Sequence, residues 1–264
     1  MRWALTARRA LTGVATMVAA GTLAIPATAQ WQQAGSISMA RSGETWRPAL
    51  FVCDGTNRDR VLALSAPTRD RRATLVSYAK PGLAATTRPV RIGAGDAGMG
   101  QVHYPLADAT GTPIGAVHTV SPAMVEPGAT TPTVTSITLG RETIGCRFAS
   151  QTRVLGTTAR RSVQVTAVPG AGYRYRSYDH DTNLPEVDRP WGGRDTRASL
   201  SLDGGRLVDQ RGGRRVYEFR ARGFVYRVMA SVDPTAGGGG VQVWQAGRLV
   251  LAEPFGAYTA ASPP

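Results

Sequence analysis

From residue 30 onward, apolar and polar residues alternate in short runs, and almost no stretch repeats apolar residues every three or four positions. A period of two sends successive side chains to opposite faces of a strand, whereas a helix needs a repeat near 3.6. Gly, Pro, Asn and Asp punctuate the runs, and these residues favour turns. Strands are expected near 48–53, 60–66, 73–79, 88–92, 113–120, 133–139, 143–148, 161–168 and 172–178. Five more are expected near 197–202, 214–220, 224–232, 240–245 and 248–253. This spacing predicts an all-β, sandwich- or barrel-like fold.

The pattern is clearest near the C-terminus. Tyr217 and Phe219 share one strand face, and Phe224, Tyr226, Val228, Ala230 and Val232 share another. Ala221-Arg222-Gly223 suits a hairpin connection because Gly223 can take positive φ. Tyr217, Phe219, Phe224, Tyr226 and Val243 are the expected core of an antiparallel meander, with 260–264 as a frayed end.

Residues 1–29 read as a cleavable export signal. Arg2, Arg8 and Arg9 precede a small apolar stretch, and Ala27-Thr28-Ala29 supplies an A-x-A cleavage site. Arg8-Arg9 also fits twin-arginine export, though the other favoured flanking residues are missing. Export places the mature chain in a periplasm or outside the cell. The polar, turn-forming stretch 179–195 is read as a linker between an N-terminal β domain, 30–178, and a C-terminal meander domain, 196–260.

Composition removes several classes. A hydrophobic fraction of 42% is too high for wholesale disorder, and two cysteines are too few for a disulfide scaffold. The whole chain carries +13; without Arg2, Arg8 and Arg9, 28 basic residues face 18 acidic ones, a balance of +10. Lys80 is the only lysine among 31 basic residues. The positive charge is spread along the chain and forms no basic tail. It favours an acidic envelope component as partner and gives no nucleic-acid motif.

Cys53 and Cys146 both end apolar stretches, and one pair in an exported chain predicts one disulfide. It would join the first and last strands of the N-terminal unit. Phe51-Val52-Cys53-Asp54-Gly55, with Ala73-Thr74-Leu75-Val76, resembles the opening of periplasmic lysozyme-inhibitor β-barrels. That resemblance implies a disulfide-closed barrel and inhibition of a cell-wall enzyme; a chain of +10 would repel a basic lysozyme.

Four motifs touch chemistry. Ser77-Tyr78-Ala79-Lys80 matches S-x-x-K, but that motif needs a helix start, and here Pro81-Gly82 follows a strand pattern. Gly93-Ala94-Gly95-Asp96-Ala97-Gly98 matches G-x-G-x-x-G without the helix that must follow it. Asp179, Asp181, Asn183, Glu186 and Asp188 open like a calcium loop, but Leu184 replaces the turn glycine and Pro190 the twelfth-position Glu. They form a weak calcium candidate; otherwise no metal or cofactor is expected. His180, between Asp179 and Asp181, is the candidate general base of a hydrolase assembled from distant residues.

Tyr173-Arg174-Tyr175-Arg176 interleaves aromatics with arginines. Exposed, these side chains would stack on sugar rings and hold acidic groups; packed, the tyrosines would face inward. The resulting expectation is an exported, non-catalytic β protein of the cell envelope that binds an acidic component or another protein. A secreted hydrolase and a periplasmic inhibitor are the alternatives.

Overall fold

The computed structural model describes residues 36–57, 59–120, 133–147, 151–182, 186–188 and 194–261. The fold is all-β, as the periodicity predicts. The strands of the first half are β1 (Ser36–Ser42), β2 (Thr45–Asp54), β3 (Arg60–Ser65), β4 (Arg72–Ala79), β5 (Ala85–Ile92), β6 (Asp96–Gly98), β7 (Gln101–Ala107), β8 (Pro113–Val120), β9 (Thr133–Leu139) and β10 (Glu142–Gly145). Those of the second half are β11 (Thr152–Thr157), β12 (Arg161–Val168), β13 (Gly172–Asp179), β14 (Glu186–Asp188), β15 (Arg194–Thr196), β16 (Leu200–Asp209), β17 (Arg214–Ala221), β18 (Phe224–Ser231), β19 (Gly239–Gln245), β20 (Arg248–Pro254) and β21 (Ala257–Ala261). Among the described residues no helix is long and apolar enough to cross a membrane.

All pairings are antiparallel. Strands β2 to β5 form a meander, β5 pairs with β7, and β7 to β10 form a second meander to which β6 adds at β7. In the second half β11 to β13 are successive neighbours, β13 pairs with β16, and β16 to β20 follow in order. Two strands join the halves. β1 pairs with β2 on one side and β21 on the other, and β21 pairs with β11. The first and last described strands therefore lie side by side, with Ala260 fully buried and Ala261 opposite Ser36. Of the expected frayed end 260–264, Ala260 and Ala261 belong to β21, and 262–264 lie outside the described residues.

Two main cores result. The first gathers Cys53, Leu62, Leu64, Leu75, Val90, Ile92, Leu106, Val117, Ile137, Ile144 and Cys146. The second gathers Val154, Val163, Val165, Tyr175, Tyr217, Phe219, Val228, Val241, Phe255 and Tyr258, together with Met39 of β1. A smaller cluster of Ala40, Val52, Val61, Ala63, Tyr78 and Ala257 lies between them. The stretch 179–195 is bracketed by β13 and β16, which pair with each other and share the second core.

The expected hairpin forms. Arg222 and Gly223 take φ of 50° and 81°, a left-handed pair that matches the twist of the flanking strands. Tyr217 and Phe219 are buried as predicted, Tyr226 is half-buried against the same core, and Phe224 is half-buried beside Tyr226.

Candidate functional site

The expected disulfide is present: Cys53 and Cys146 are bonded, with Cα atoms 4.9 Å apart. It ties the end of β10 back to β2, and Gly55 pairs with Cys146 beside it. Its position fixes the residues that follow each cysteine. Asp54 and Arg147 are brought together, with Arg147 Nε donating to Asp54 Oδ2 at 2.8 Å.

Asp54 is the hub of a buried ionic centre. Its side chain is fully buried, and those of Lys80 and Arg147 are 7% and 3% exposed. Lys80 Nζ contacts Asp54 Oδ1 and donates to the Gly55 carbonyl at 2.8 Å. The Lys80 backbone N–H donates to the Asp59 carbonyl, so the chain leaving β4 is held against the β2–β3 connection. Ser162 of β12 donates its hydroxyl to Asp54 Oδ1 at 2.8 Å. The Arg147 guanidinium lies 3.4 Å over the ring of Tyr178 on β13. Two strands of the second half thus complete a centre begun by the first.

His180 joins this centre from just beyond β13, with Nε2 at 3.2 Å from Ser162 Oγ. Ser162 Oγ thus lies between the Asp54 carboxylate and the His180 ring. The other ring nitrogen, Nδ1, is buried beside the Ala159 backbone. Burial, reinforced by the nearby Lys80 charge and opposed by Asp54, pushes the imidazole down to about 4, so it is neutral at pH 7. Burial alone would push the Asp54 carboxyl up, but the Lys80 and Arg147 charges override it and hold the carboxyl far below its ordinary value.

The other singled-out residues fall elsewhere. Tyr175 is 1% exposed and packs against Phe219 and Tyr226, and burial pushes its hydroxyl up to about 12. Tyr173 meets Tyr217 edge-on at 4.8 Å, Arg174 pairs with Asp203, and Arg176 is half-buried. The tyrosines line a core and present no open aromatic face. Of the calcium candidates, Asp179 pairs with Arg161 at 3.2 Å and Asp181 is exposed. Asn183 and the side chains of Glu186 and Asp188 lie outside the described residues. Among the described residues no group of three or more His, Cys, Asp or Glu can hold a metal ion. Ser77 sits inside β4, and Lys80 follows its end, so the S-x-x-K match has no helix. The G-x-G-x-x-G match runs into the short strand β6.

A second feature lies on the surface at the far end of β4. Arg69 and Arg71 occupy the β3–β4 turn, Arg72 opens β4, and Arg91 lies directly opposite Arg72 on β5. All four are exposed, and the Ile92 N–H donates to the Arg71 carbonyl at 3.0 Å, which holds the turn against β5. Asp70 is the one carboxylate in the group; it pairs with Arg72 at 2.8 Å and also feels the Arg91 charge. Among the described residues Arg69, Arg71 and Arg91 make no ion pair. Two costs are built in. Like charges directly opposite on a sheet repel. Arg71 also holds φ at 63°, a conformation that glycine adopts without penalty.

Neither feature follows a recognised motif, yet each leaves a trace in the sequence. Opposite charges immediately follow the two cysteines, at 54 and 147, so the disulfide implies their contact. A single lysine among arginines marks position 80. Arg69-Asp70-Arg71-Arg72 is a four-residue charged run, but its neighbour Arg91 depends on strand register. No protein-family model, curated protein or solved structure matches this chain.

Proposed function

We propose that this is an exported, non-catalytic β protein, periplasmic or secreted, that binds an acidic component of the cell envelope. The binding surface is the arginine quartet Arg69, Arg71, Arg72 and Arg91. The observation that carries this reading is the cross-strand pair Arg72 and Arg91 beside the left-handed Arg71. Repulsion and backbone strain are retained where a neutral residue and a glycine would be more stable, and an anion bound between the guanidiniums offsets both. The leader-like segment 1–29 supports export.

The surroundings of His180 lend the hydrolase alternative little support. Ser162, the hydroxyl nearest His180, is 1% exposed and already donates to Asp54, so no external substrate reaches it. The buried centre is accordingly read as part of the framework.

The test is binding of the mature, oxidised protein to immobilised lipopolysaccharide or a teichoic-type polymer, with a neutral glycan as control. Saturable binding that weakens with salt and is lost in Arg71→Gly/Arg91→Thr is expected. Equal binding to the neutral glycan, or an unchanged isotherm for the double variant, would contradict the proposal.

A further inference from the structure

The buried centre holds every group needed to join two side chains covalently. We propose that Lys80 and Asp54 form an intramolecular amide bond, Nζ to Cγ, during or after folding. The starting pair is an ammonium and a carboxylate in direct contact at Asp54 Oδ1. A proton passes from Nζ to Oδ1, which gives a neutral amine and a carboxylic acid. Nζ then attacks Cγ, and the C–N bond forms as the carbonyl electron pair moves onto Oδ2. A second proton passes from Nζ to Oδ1, the Cγ–Oδ1 bond breaks, and Oδ1 leaves as water. The sum is one carboxylate and one ammonium giving one amide and one water, with no change of net charge and no external reagent.

Each neighbour is placed for a step. Arg147 Nε donates to Oδ2, the oxygen that bears negative charge in the tetrahedral adduct and remains as the amide carbonyl. Ser162 donates to Oδ1, the oxygen that departs. Burial of Asp54 and Lys80 keeps bulk water out of the centre, while the first proton transfer runs against the Lys80 and Arg147 charges that hold the carboxyl ionised. Fixed contact between nucleophile and electrophile replaces a bimolecular encounter, an advantage equivalent to effective concentrations of about 10⁵ M or more. The residue choice fits as well. A guanidinium satisfies a buried ion pair better than an ammonium, and the chain uses arginine at 30 of its 31 basic positions. Its one primary side-chain amine stands in contact with a fully buried carboxylate.

The bond would staple the end of β2 to the chain leaving β4, beside the disulfide but indifferent to reductant. Intact mass of the folded, then reduced and denatured, wild-type protein should be one water lower than its sequence requires. After cleavage at arginine, the peptides carrying Asp54 and Lys80 should appear as one linked species. Lys80→Arg should restore the full mass. Full mass for the wild-type chain would overturn the proposal. So would a missing water on a separate Asp54 peptide, because Asp54-Gly55 can lose water by closing on its own backbone. The peptide map of the wild type decides between these results even where Lys80→Arg does not fold.

Discussion

Asp54→Ala is the sharpest structural perturbation available. It deletes one carboxylate but strands two cations, since Lys80 and Arg147 are 7% and 3% exposed and both face it. Breaking a single buried ion pair by removing one partner costs about 3–5 kcal/mol, because the charge left behind has no compensation. With two cations stranded, the expected loss lies at the top of that range, about 5 kcal/mol. Electrostatics and lost packing are separated by Asp54→Ala/Lys80→Met, which removes one stranded charge and fills its volume with apolar atoms. This double variant should recover about 1–3 kcal/mol relative to Asp54→Ala, the range found when buried ionic groups give way to apolar ones. Both variants lack the Lys80–Asp54 link, so the comparison is independent of it. Urea unfolding at pH 7 with an unchanged slope is the assay. A double variant no more stable than Asp54→Ala would refute stranded charge as the cause.

Three further outcomes follow from the same structure. Replacing Cys53 and Cys146 by Ala should cost about 4–5 kcal/mol in urea unfolding, because the bond closes a separation of 93 residues; a loss under about 1 kcal/mol would contradict this. Acidification should destabilise the protein in two stages. The His180 imidazole is held below its unfolded value of 6.5, so the folded state resists protonation and stability falls between about pH 6.5 and 4. Where Asp54 is unlinked, its free carboxyl is also held below its unfolded value, so its contribution persists to about pH 4 and is lost below it. His180→Gln, which keeps a polar side chain there but does not titrate, should flatten the first stage alone in thermal melts across that range. Gly205→Ala should cost about 1–3 kcal/mol, since a Cβ there would stand 2.1 Å from the Phe219 ring; an unchanged melting temperature would show that the ring can move aside.

Much of this architecture was legible because strand periodicity is local. The runs at 161–168, 172–178, 214–220 and 224–232 match β12, β13, β17 and β18 within a residue or two. Four of the longer strands escaped: β7 and β11, which pair with their neighbours β8 and β12, and β1 and β21, which depend on distant pairing. β1 and β21 were missed because Ile37-Ser38-Met39-Ala40 and Ala257-Tyr258-Thr259-Ala260 are short, small and nearly featureless. They become strands only because each finds the other, 221 positions apart at Ser38 and Thr259, whose hydroxyls lie 2.7 Å apart. The site divides in the same way. The disulfide followed from counting cysteines, and the inward packing of Tyr175 is one of the two outcomes its alternating pattern allowed. Asp54, Lys80, Arg147 and Ser162 come from four separate strands or strand ends, and no spacing rule joins them. His180 drew attention for its flanking aspartates, but its partner is Ser162. The Arg72–Arg91 opposition exists only at the observed β4–β5 register.

The proposed anion site is an arginine quartet kept at the expense of stability. Arg91→Thr tests it most directly, because it removes the cross-strand repulsion while Arg72 keeps Asp70. Unfolding and polymer binding are to be measured on the same preparation. A gain of about 0.2–1 kcal/mol in stability is expected together with weaker, less salt-sensitive binding to the acidic polymer. Binding that is unchanged while stability rises would contradict it.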